Sequence, residues 1–359
     1  MSPRSVPLWR RRRIQVISGV VAALLAVAVA IVVLTGGSGD DGSAKQVPGR
    51  TTTSRDAGSS TTTTGPPPIA PLTGLPDPSL ATLVRPVLAV KIDNVALAQR
   101  PDQAGLDVAD VVYEEPVEFA TRFVAIFHSQ APERVGPVRS TRFIDPGIMW
   151  SIHGLYVYSG GTAPKVDAIE TAPVQTLDET DLAAVDARIR DPGIPAPHNL
   201  FVAVDKAWAA AQDRTPPAPL FLYRDGGRTF RGEPAASVEI PSYSQARYTW
   251  DDASGTWLRE EVRCTSCVRE PHIAESGKQI APVNLIVQKI ASTEDKSNLV
   301  GEGDAWVFSD GKVVRGRWTR ASLEERTTFS DAAGNEVKLT PGSTWVHFIT
   351  SDEPVITAG

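Results

Sequence analysis

The strongest chemical signal in the sequence is the run RVGPVRSTR at residues 134–142, which places three arginines around a Gly-Pro turn. Guanidinium groups spaced in this way suit bidentate capture of a carboxylate or phosphate, and the Ser140 hydroxyl adds a further donor. The alternative is structural, because each arginine can pair with an acidic residue of the segment 114–118. We therefore expect Arg139, Ser140 and Arg142 to form either an anion site or a set of internal ion pairs.

A second group of candidates lies in PHNL at residues 197–200 and at the end of AVKIDN at residues 89–94. Histidine and asparagine in a loop, next to arginine and aspartate, can position a substrate or serve as acid and base. A lone histidine is more often a hydrogen-bonded structural residue. We expect His198, Asn199 and Asp93 to line one ligand-binding cleft with the arginine loop.

Other chemistries leave weaker signals. The five histidines show neither an i, i+4 pair nor an HExxH motif, and no P-loop, GxGxxG or GxSxG motif is present, so neither a metal nor a cofactor is expected. Glu114 or Glu115 with His128 or His198 would suit a hydrolase or transferase of a wall polymer, but a sequence does not give the separation of two such groups. Whether the protein is an enzyme stays open at this point.

The two cysteines, Cys264 and Cys267, form a single CxxC motif. Such a motif can be a redox pair, half of a zinc site or a small disulfide loop. No second CxxC is present, and the motif follows a predicted hairpin strand rather than opening a helix. Because two lone cysteines outside the cytoplasm oxidise together, we expect a structural disulfide between them.

The N-terminal part of the 359-residue chain indicates its location. Four arginines at residues 10–13 precede an uncharged apolar run at residues 14–34, which as a helix of about 31 Å matches a hydrocarbon core of ~30 Å. A cleaved signal peptide is the alternative, although its apolar stretch is usually only about 7–15 residues. We expect residues 1–13 to be a cytoplasmic tail, residues 14–34 a single membrane-spanning anchor, and the bulk of the chain to be extracytoplasmic.

A tether and an acidic body follow the predicted anchor. Residues 35–71 are rich in Ser, Thr and Pro without apolar periodicity, which is typical of a disordered linker, either O-glycosylated or unmodified. Residues 1–71 contain eight basic and three acidic residues, so the body, residues 72–359, carries a formal charge of −11. This balance argues against a nucleic-acid partner.

The body is predicted to contain two domains. Between residues 72 and 232, short β-branched runs alternate with helical stretches, which favours an α/β domain. Between residues 233 and 350, turn signals separate paired strands, which favours a mainly antiparallel β domain with tryptophans in its core. The predicted strands are residues 87–92, 111–113, 123–127, 155–158, 248–250, 256–259, 305–308, 313–318, 336–339 and 344–349, and the clearest helix is residues 206–212.

Several motifs, in order, carry a resemblance to a known family. They are AVKIDN (89–94), DVVYEE (110–115), TRF (121–123), RVGPVRSTR (134–142), YSG (158–160) and PHNL (197–200), then PH (271–272), QIAPVN (279–284) and AWVFSDG (305–311). Over about residues 72–350 the chain resembles the YerB-like family of bacterial cell-envelope proteins, which pairs two domains of unknown function and often occurs on lipoproteins. The resemblance implies an envelope location and transfers no catalytic residue. The chain departs from the family in having no lipobox cysteine after its apolar run.

These observations together predict a membrane-anchored extracytoplasmic protein that binds an anionic wall component or a peptide carboxylate through an arginine-containing cleft. Its partner would be a cell-wall component or another envelope protein. The alternatives are a wall-polymer hydrolase or transferase, and a structural partner of a membrane complex. Convergence of the arginine loop and residues 197–199 on one cleft favours binding, whereas burial of both in ion pairs favours the structural role.

Overall fold

The computed structural model describes residues 66–95, 101–225, 229–262 and 268–359. The predicted anchor at residues 14–34, nearly all of the predicted tether and the predicted Cys264–Cys267 disulfide lie outside the described residues. Within these four ranges, no helix is both long and apolar enough to cross a membrane.

The described residues form nineteen strands and four short α-helices. The strands are β1 (Leu88–Asn94), β2 (Val111–Val117), β3 (Ala120–Phe127), β4 (Arg134–Val135), β5 (Leu155–Val157), β6 (Gln175–Leu177), β7 (Arg188–Arg190), β8 (Leu200–Ala203), β9 (Glu233–Pro234), β10 (Ser237–Glu239), β11 (Arg247–Asp251), β12 (Thr256–Val262), β13 (Arg269–Pro271), β14 (Asn284–Lys289), β15 (Gly301–Ser309), β16 (Lys312–Arg320), β17 (Thr328–Asp331), β18 (Thr344–Ile349) and β19 (Val355–Thr357). The helices are α1 (Asp145–Met149), α2 (Ala163–Ile169), α3 (Glu179–Ala184) and α4 (Val204–Ala209), and three 3₁₀ turns lie at Ala81–Leu83, Leu106–Val108 and Lys296–Leu299. Helices this short are not stable alone, so packing against the strands must hold them.

One eleven-stranded sheet contains strands from both predicted domains. Its order is β17-β16-β15-β14-β18-β2-β3-β1-β5-β6, with β9 also paired to β16. The two regions join where β18 pairs in parallel with β2, Thr344 opposite Val111 and His347 opposite Glu114. The described residues fall within one compact unit. The strands before and after the boundary predicted near residue 232 belong to the same large sheet.

Both faces of the central strands are covered. All seven residues of β1 are buried, with Leu88, Val90 and Ile92 in the hydrophobic cluster on one face and Ala89 in the cluster on the other. Successive side chains of a strand point to opposite faces, so any polar residue on β1 must find its partners in the interior. Lys91 and Asp93 are such residues.

Two smaller sheets complete the fold. A five-stranded antiparallel sheet has the order β13-β12-β11-β10-β19, and a three-stranded sheet has the order β4-β8-β7. The five-stranded sheet packs on the large one through aromatic side chains, since the Trp257 ring lies 5.6 Å from Phe308 and the Tyr248 ring 6.4 Å from Trp345. Four of the five tryptophans predicted for this region are buried: Trp257, Trp306, Trp318 and Trp345.

Most of the predicted strands are present. The first four predictions correspond to β1, β2, β3 and β5, and the hairpin at 309–311 is confirmed, because Asp310 and Gly311 both have positive φ as a type I′ turn requires. The predicted helix at 206–212 is found slightly earlier, as α4. The first region is richer in strands than the α/β prediction implies, because its helices have only five to seven residues.

The prediction of a strand at 336–339 paired with residues 344–349 is wrong. Residues 336–339 form only isolated bridges, whereas β18 pairs in parallel with both β14 and β2. The turn at Gly342 does not fold the chain back, because the Gly342 N–H donates to the Thr73 carbonyl at 2.7 Å and the Thr344 N–H to the Asp110 carbonyl at 3.0 Å. Contacts with the first region therefore direct β18 into the sheet.

We predict that Gly316→Ala destabilises the protein by about 1–3 kcal/mol. A Cβ at Gly316 would lie 1.8 Å from the Ser330 carbonyl oxygen of β17, so backbone must move to admit it. Gly193→Ala is the matched control, since its Cβ would meet only a side-chain oxygen of Asp191, at 3.3 Å. Chemical unfolding of the detergent-solubilised full chain, followed by circular dichroism, measures both. Equal stability of the two variants would contradict the close packing of β16 against β17.

Candidate functional site

The register of three neighbouring strands places charged side chains in a row across the large sheet. Asp93 of β1 lies opposite Arg122 of β3, and Arg122 lies opposite Glu115 of β2. Residues directly opposite one another in antiparallel strands project from the same face. The row therefore crosses one face of the sheet, at the end of β1.

Asp93 is the centre of the first cluster. Its carboxylate is completely buried, and Arg122 Nη1 lies 3.0 Å from Oδ1 while His198 Nδ1 lies 2.5 Å from Oδ2. Arg139 Nε lies 3.4 Å from the same Oδ2, and Arg139 Nη1 donates to the Pro197 carbonyl at 3.4 Å. The two loops identified in the sequence thus meet at one carboxylate.

Backbone hydrogen bonds fix the arginine loop against the end of β1. The Asp93 N–H donates to the Pro137 carbonyl at 3.0 Å, and the Arg139 N–H donates to the Lys91 carbonyl at 2.8 Å. The loop therefore extends the sheet past the point where β5 stops pairing with β1. This placement, rather than the Gly-Pro turn alone, brings Arg139 to Asp93.

Arg142 forms the second part of the cluster. Its Nη1 donates to the Ser140 and Thr141 carbonyls at 3.1 and 3.0 Å, and its Nη2 donates to Glu118 Oε2 at 2.9 Å. Lys165 Nζ donates to Glu118 Oε1 at 2.7 Å. Partial burial opposes ionisation of Glu118, but the hydrogen bond from Lys165 and the Arg142 charge outweigh it and lower the pKa of Glu118 to about 2.

We call Arg122, Arg139, Arg142 and Lys165, with His198, the arginine cluster. Burial lowers the pKa of Arg122, Asp93 and Glu115 raise it, and the positive charges of Arg139 and Arg142 lower it further. The side chains of Arg139, Arg142, Lys165 and His198 are 14–19% exposed, so their tips reach the surface. Within the described ranges, the three arginines and Lys165 pair with two carboxylates, Asp93 and Glu118, and Arg122 also lies opposite Glu115.

The structure brings together three of the six residues predicted for the ligand site, namely Asp93, Arg139 and His198. Arg142 lies next to them through the arginine cluster, and Ser140 contributes its backbone carbonyl to Arg142. Asn199 is directed elsewhere, because its Oδ1 accepts a hydrogen bond from Arg190 Nη1 at 2.6 Å. The register of β7 against β8 explains this, since Arg190 lies opposite Leu200, the residue after Asn199.

Sequence reasoning missed Arg122 and Lys165. Arg122 lies in the TRF segment, where strand alternation opposite Asp93 would have identified it only once the pairing of β1 with β3 was known. Lys165 lies on α2, and its approach to Glu118 depends on a contact 47 residues apart in sequence. Local motifs do not report contacts of this kind.

Lys91, Glu115 and Asp145 form a buried ionic triad next to the arginine cluster, on the same face of the sheet. Lys91 Nζ contacts Glu115 and lies 2.7 Å from Asp145 Oδ1, and all three side chains are fully buried. Asp145 Oδ2 accepts hydrogen bonds from the Tyr156 hydroxyl at 2.6 Å and from the Arg142 backbone N–H at 2.7 Å. Burial and the Asp145 charge raise the pKa of Glu115 to about 8 despite Lys91, so at neutral pH the triad is uncharged overall.

A second ionic cluster lies on the opposite face of the sheet. Glu114, the residue before Glu115, lies 3.0 Å from Arg259 Nη2 of β12, and the Thr121 hydroxyl donates to Glu114 at 2.8 Å. Although burial opposes its ionisation, the Arg259 guanidinium lowers the pKa of Glu114. Tyr248 and His347 complete the interior side, with the Tyr248 hydroxyl 2.8 Å from His347 Nε2. This cluster ties the five-stranded sheet to β2.

The residues proposed for hydrolysis do not form an acid–base pair in the described part of the chain. Glu114 pairs with Arg259 and Glu115 with Lys91, on opposite faces of β2. His128 Nε2 donates to the Arg85 carbonyl at 3.1 Å, and burial lowers the pKa of His128 to about 4. Nor does any group of three His, Cys, Asp or Glu side chains in the described ranges have the arrangement of a metal site.

Comparison with known proteins gives a consistent result. The "Protein of unknown function (DUF3048) N-terminal domain" matches residues 72–217, and the "Protein of unknown function (DUF3048) C-terminal domain" matches residues 236–346. A relative named "Putative lipoprotein YerB", from Bacillus subtilis (strain 168), is 27% identical over 295 residues, which cover 78% of this chain and 86% of the relative. The crystal structure of YerB protein from Bacillus subtilis is similar in fold, with a TM-score of 0.65 at 24% identity, over 80% of this chain and 99% of that one.

We predict that Glu115→Gln reduces the dependence of stability on pH between about pH 5 and 8. Because the pKa of Glu115 rises from its ordinary value to about 8 in the folded protein, the folded protein binds more protons than the unfolded chain within this window. Stability from this group is therefore present below the unfolded pKa and is lost as pH rises through the window. A neutral glutamine keeps the hydrogen-bonding shape without titrating.

Unfolding free energies at pH 5, 6.5 and 8 measure the effect in the full chain. Glu336→Gln is a control at a partly exposed ion pair with Arg326. If wild type and Glu115→Gln show the same slope of stability against pH, the raised pKa is wrong.

Proposed function

This chain belongs to the YerB-like family, and from that premise we propose that it is a membrane-anchored envelope protein that binds an anionic ligand at the arginine cluster. The ligand classes that fit are an anionic wall component and a peptide carboxylate. The membrane anchor is assigned to residues 14–34, where the sequence has an apolar run instead of a lipobox cysteine. The arginines preceding that run and the word "lipoprotein" in the name of the relative support the proposed extracytoplasmic location.

One observation carries the binding proposal: the arginine cluster has more cationic side chains than carboxylates, within a body of formal charge −11. Buried or half-buried charges are normally balanced, because an unpaired charge in a medium of low dielectric constant is costly. An excess of positive charge whose tips are exposed is therefore suited to an anion from outside. Guanidinium groups are the side chains best matched to carboxylate and phosphate geometry.

Hydrogen-bonding capacity at the cluster supports the same conclusion. The Nε–H groups of Arg122, Arg139 and Arg142 are buried, and in the described part of the chain none has an acceptor in hydrogen-bonding geometry. The neighbouring Gly160 has a φ of +114° and open space where a Cβ would project, and its carbonyl accepts the Thr141 N–H at 3.0 Å. Because these Nε–H groups are buried, a ligand oxygen would meet the partly exposed remainder of the Arg139 and Arg142 side chains.

A structural role in a membrane complex is the second candidate. Several large apolar side chains at the start of the described body are exposed, which marks a surface suited to a protein partner. They are Ile69, Leu75, Leu80, Leu83 and Val84. Ile69 lies at the end of the predicted tether and the other four follow it, and none belongs to the arginine cluster.

We predict that the double variant Arg139→Ala, Arg142→Ala loses at least tenfold in affinity for purified anionic muropeptides. A hydrogen bond to a charged group contributes about 1.5–3 kcal/mol, and two guanidinium groups are removed. Isothermal titration of the detergent-solubilised full chain measures the change. Arg326→Ala is the matched control, because its side chain is 31% exposed and pairs with Glu336 away from the cluster.

The same experiment separates the two candidates. Unchanged affinity in the double variant, or no affinity of the wild type for wall fragments and short peptide carboxylates, would contradict binding at the arginine cluster. Co-purification of an envelope protein that is lost on Leu83→Asp but kept in the double variant would support the structural role instead.

A further inference from the structure

Strand β7 has one free edge, and the hydrogen bonds at its ends show which groups face it. The Asp191 N–H donates to the Asn199 carbonyl at 2.9 Å, and the Ala203 N–H donates to the Ala187 carbonyl at 2.8 Å. In an antiparallel pair, hydrogen-bonded and non-hydrogen-bonded residues alternate, so Arg188 and Arg190 are the non-hydrogen-bonded residues toward β8. Their N–H and C=O groups therefore point away from β8.

These outward groups have no backbone partner in the described ranges. Strand β7 is the last strand of its sheet, and Arg188 and Arg190 are both exposed. Exposed edges with unpaired N–H and C=O groups are the places where an extended peptide can add as a further strand. The backbone of β7 can thus supply affinity that does not depend on the ligand's sequence.

The side chains of β7 define what such a peptide must present. Arg188 and Arg190 project from one face, with side chains 43% and 39% exposed, and share a single carboxylate, Glu179. Ile189 projects from the other face into an open groove of about 760 Å³, whose apolar lining includes Val108, Ala131 and Pro132. Two paired strands are stabilised when side chains that face each other across them carry opposite charges or are both apolar.

The edge of β7 leads to the arginine cluster. Arg190 at the end of β7 donates to Asn199, the next residue in the chain to His198, and His198 contacts Asp93 together with Arg139. The arginine cluster lies on the β8 side of this end, so a peptide paired with the free edge of β7 would have to extend past Arg190 and cross the end of β7 to bring its terminal carboxylate to His198. A carboxylate there would meet the cationic excess.

We propose that the free edge of β7 binds an extended peptide whose side chains alternate between acidic and apolar, and whose terminal carboxylate reaches the arginine cluster. The proposal rests on the proposed function, since it identifies the ligand of the same site as a peptide. Acidic side chains would lie over Arg188 and Arg190, and apolar side chains would enter the groove beside Ile189.

The probe is the peptide acetyl-Val-Glu-Val-Glu-Val with a free carboxylate, titrated into the detergent-solubilised full chain. Two N-methylated forms test the strand pairing, one methylated at both Glu amides and one at the second and third Val amides. Because alternate amides of a strand face opposite edges, we expect one form to lose at least tenfold in affinity and the other to bind like the parent. The form that retains binding is the matched control for methylation.

Two further comparisons complete the test. Arg188→Glu is expected to weaken the parent peptide at least fivefold, whereas Arg315→Glu, a half-exposed arginine on β16, is expected to leave its affinity unchanged. Replacing the terminal carboxylate by an amide, or Arg139 by alanine, reports on the arginine cluster independently of the edge.

The outcomes are distinguishable. If both methylated forms bind alike, or the parent peptide does not bind at millimolar concentration, pairing along β7 is wrong. If the methylated forms differ but neither amidation nor Arg139→Ala changes affinity, the peptide carboxylate does not reach the arginine cluster and that part of the proposal is wrong, while the edge remains a binding element; the proposed function then depends on the muropeptide titration.

Discussion

Asp93 is a fully buried carboxylate at the end of the central strand β1, and its charge must be balanced within the protein. Arg122 reaches it from the neighbouring strand, whereas Arg139 and His198 come from two loops that are distant in sequence. One buried charge thus orients side chains from both loops, and backbone hydrogen bonds to Lys91 and Asp93 fix the arginine loop beside it. The positions of the exposed guanidinium tips, and with them any anion site, depend on this interaction.

Each face of the large sheet buries a carboxylate of β2 next to a cationic side chain. Glu114 and Glu115 are consecutive on β2 and point in opposite directions, and each is buried. Glu115 shares Lys91 with Asp145 and keeps its proton at neutral pH, whereas Glu114 is ionised against Arg259. Removing one partner of such a buried pair costs about 3–5 kcal/mol, so these clusters specify how the layers fit together.

The Glu114–Arg259 pair also explains why the two sequence regions behave as one body. Arg259 belongs to β12 of the second region, and its guanidinium reaches a strand of the first region beside the parallel join of β18 with β2. The binding edge of β7 and the arginine cluster both belong to the first region. The second region contributes Arg259, which pairs with Glu114 on the opposite face of the sheet, and residues 275, 276 and 278, which line the groove beside Ile189.

Local patterns predicted the strands well, because β-branched runs, turn residues and Asp-Gly hairpins act over a few residues. The convergence of Arg139, His198 and Asp93 was predicted from residue types, whereas the ion pairs that bury most of Arg139 and His198 are seen only in the structure. Arg122 and the parallel pairing of β18 were missed because they depend on contacts far apart in sequence. Asn199 was assigned to the site from its neighbour, but the pairing of β7 with β8 turns it toward Arg190.

The organising role of Asp93 can be tested most directly by a crystal structure of the Asp93→Asn variant. Without that carboxylate, the Arg139 and His198 side chains lose the partner that they share and should shift by more than about 2 Å, while backbone hydrogen bonds keep the arginine loop itself against β1. The Lys91–Glu115–Asp145 triad, on the same face but with its own partners, should stay in place. If Arg139 and His198 keep their positions in the variant, the Asp93 charge does not position these two side chains.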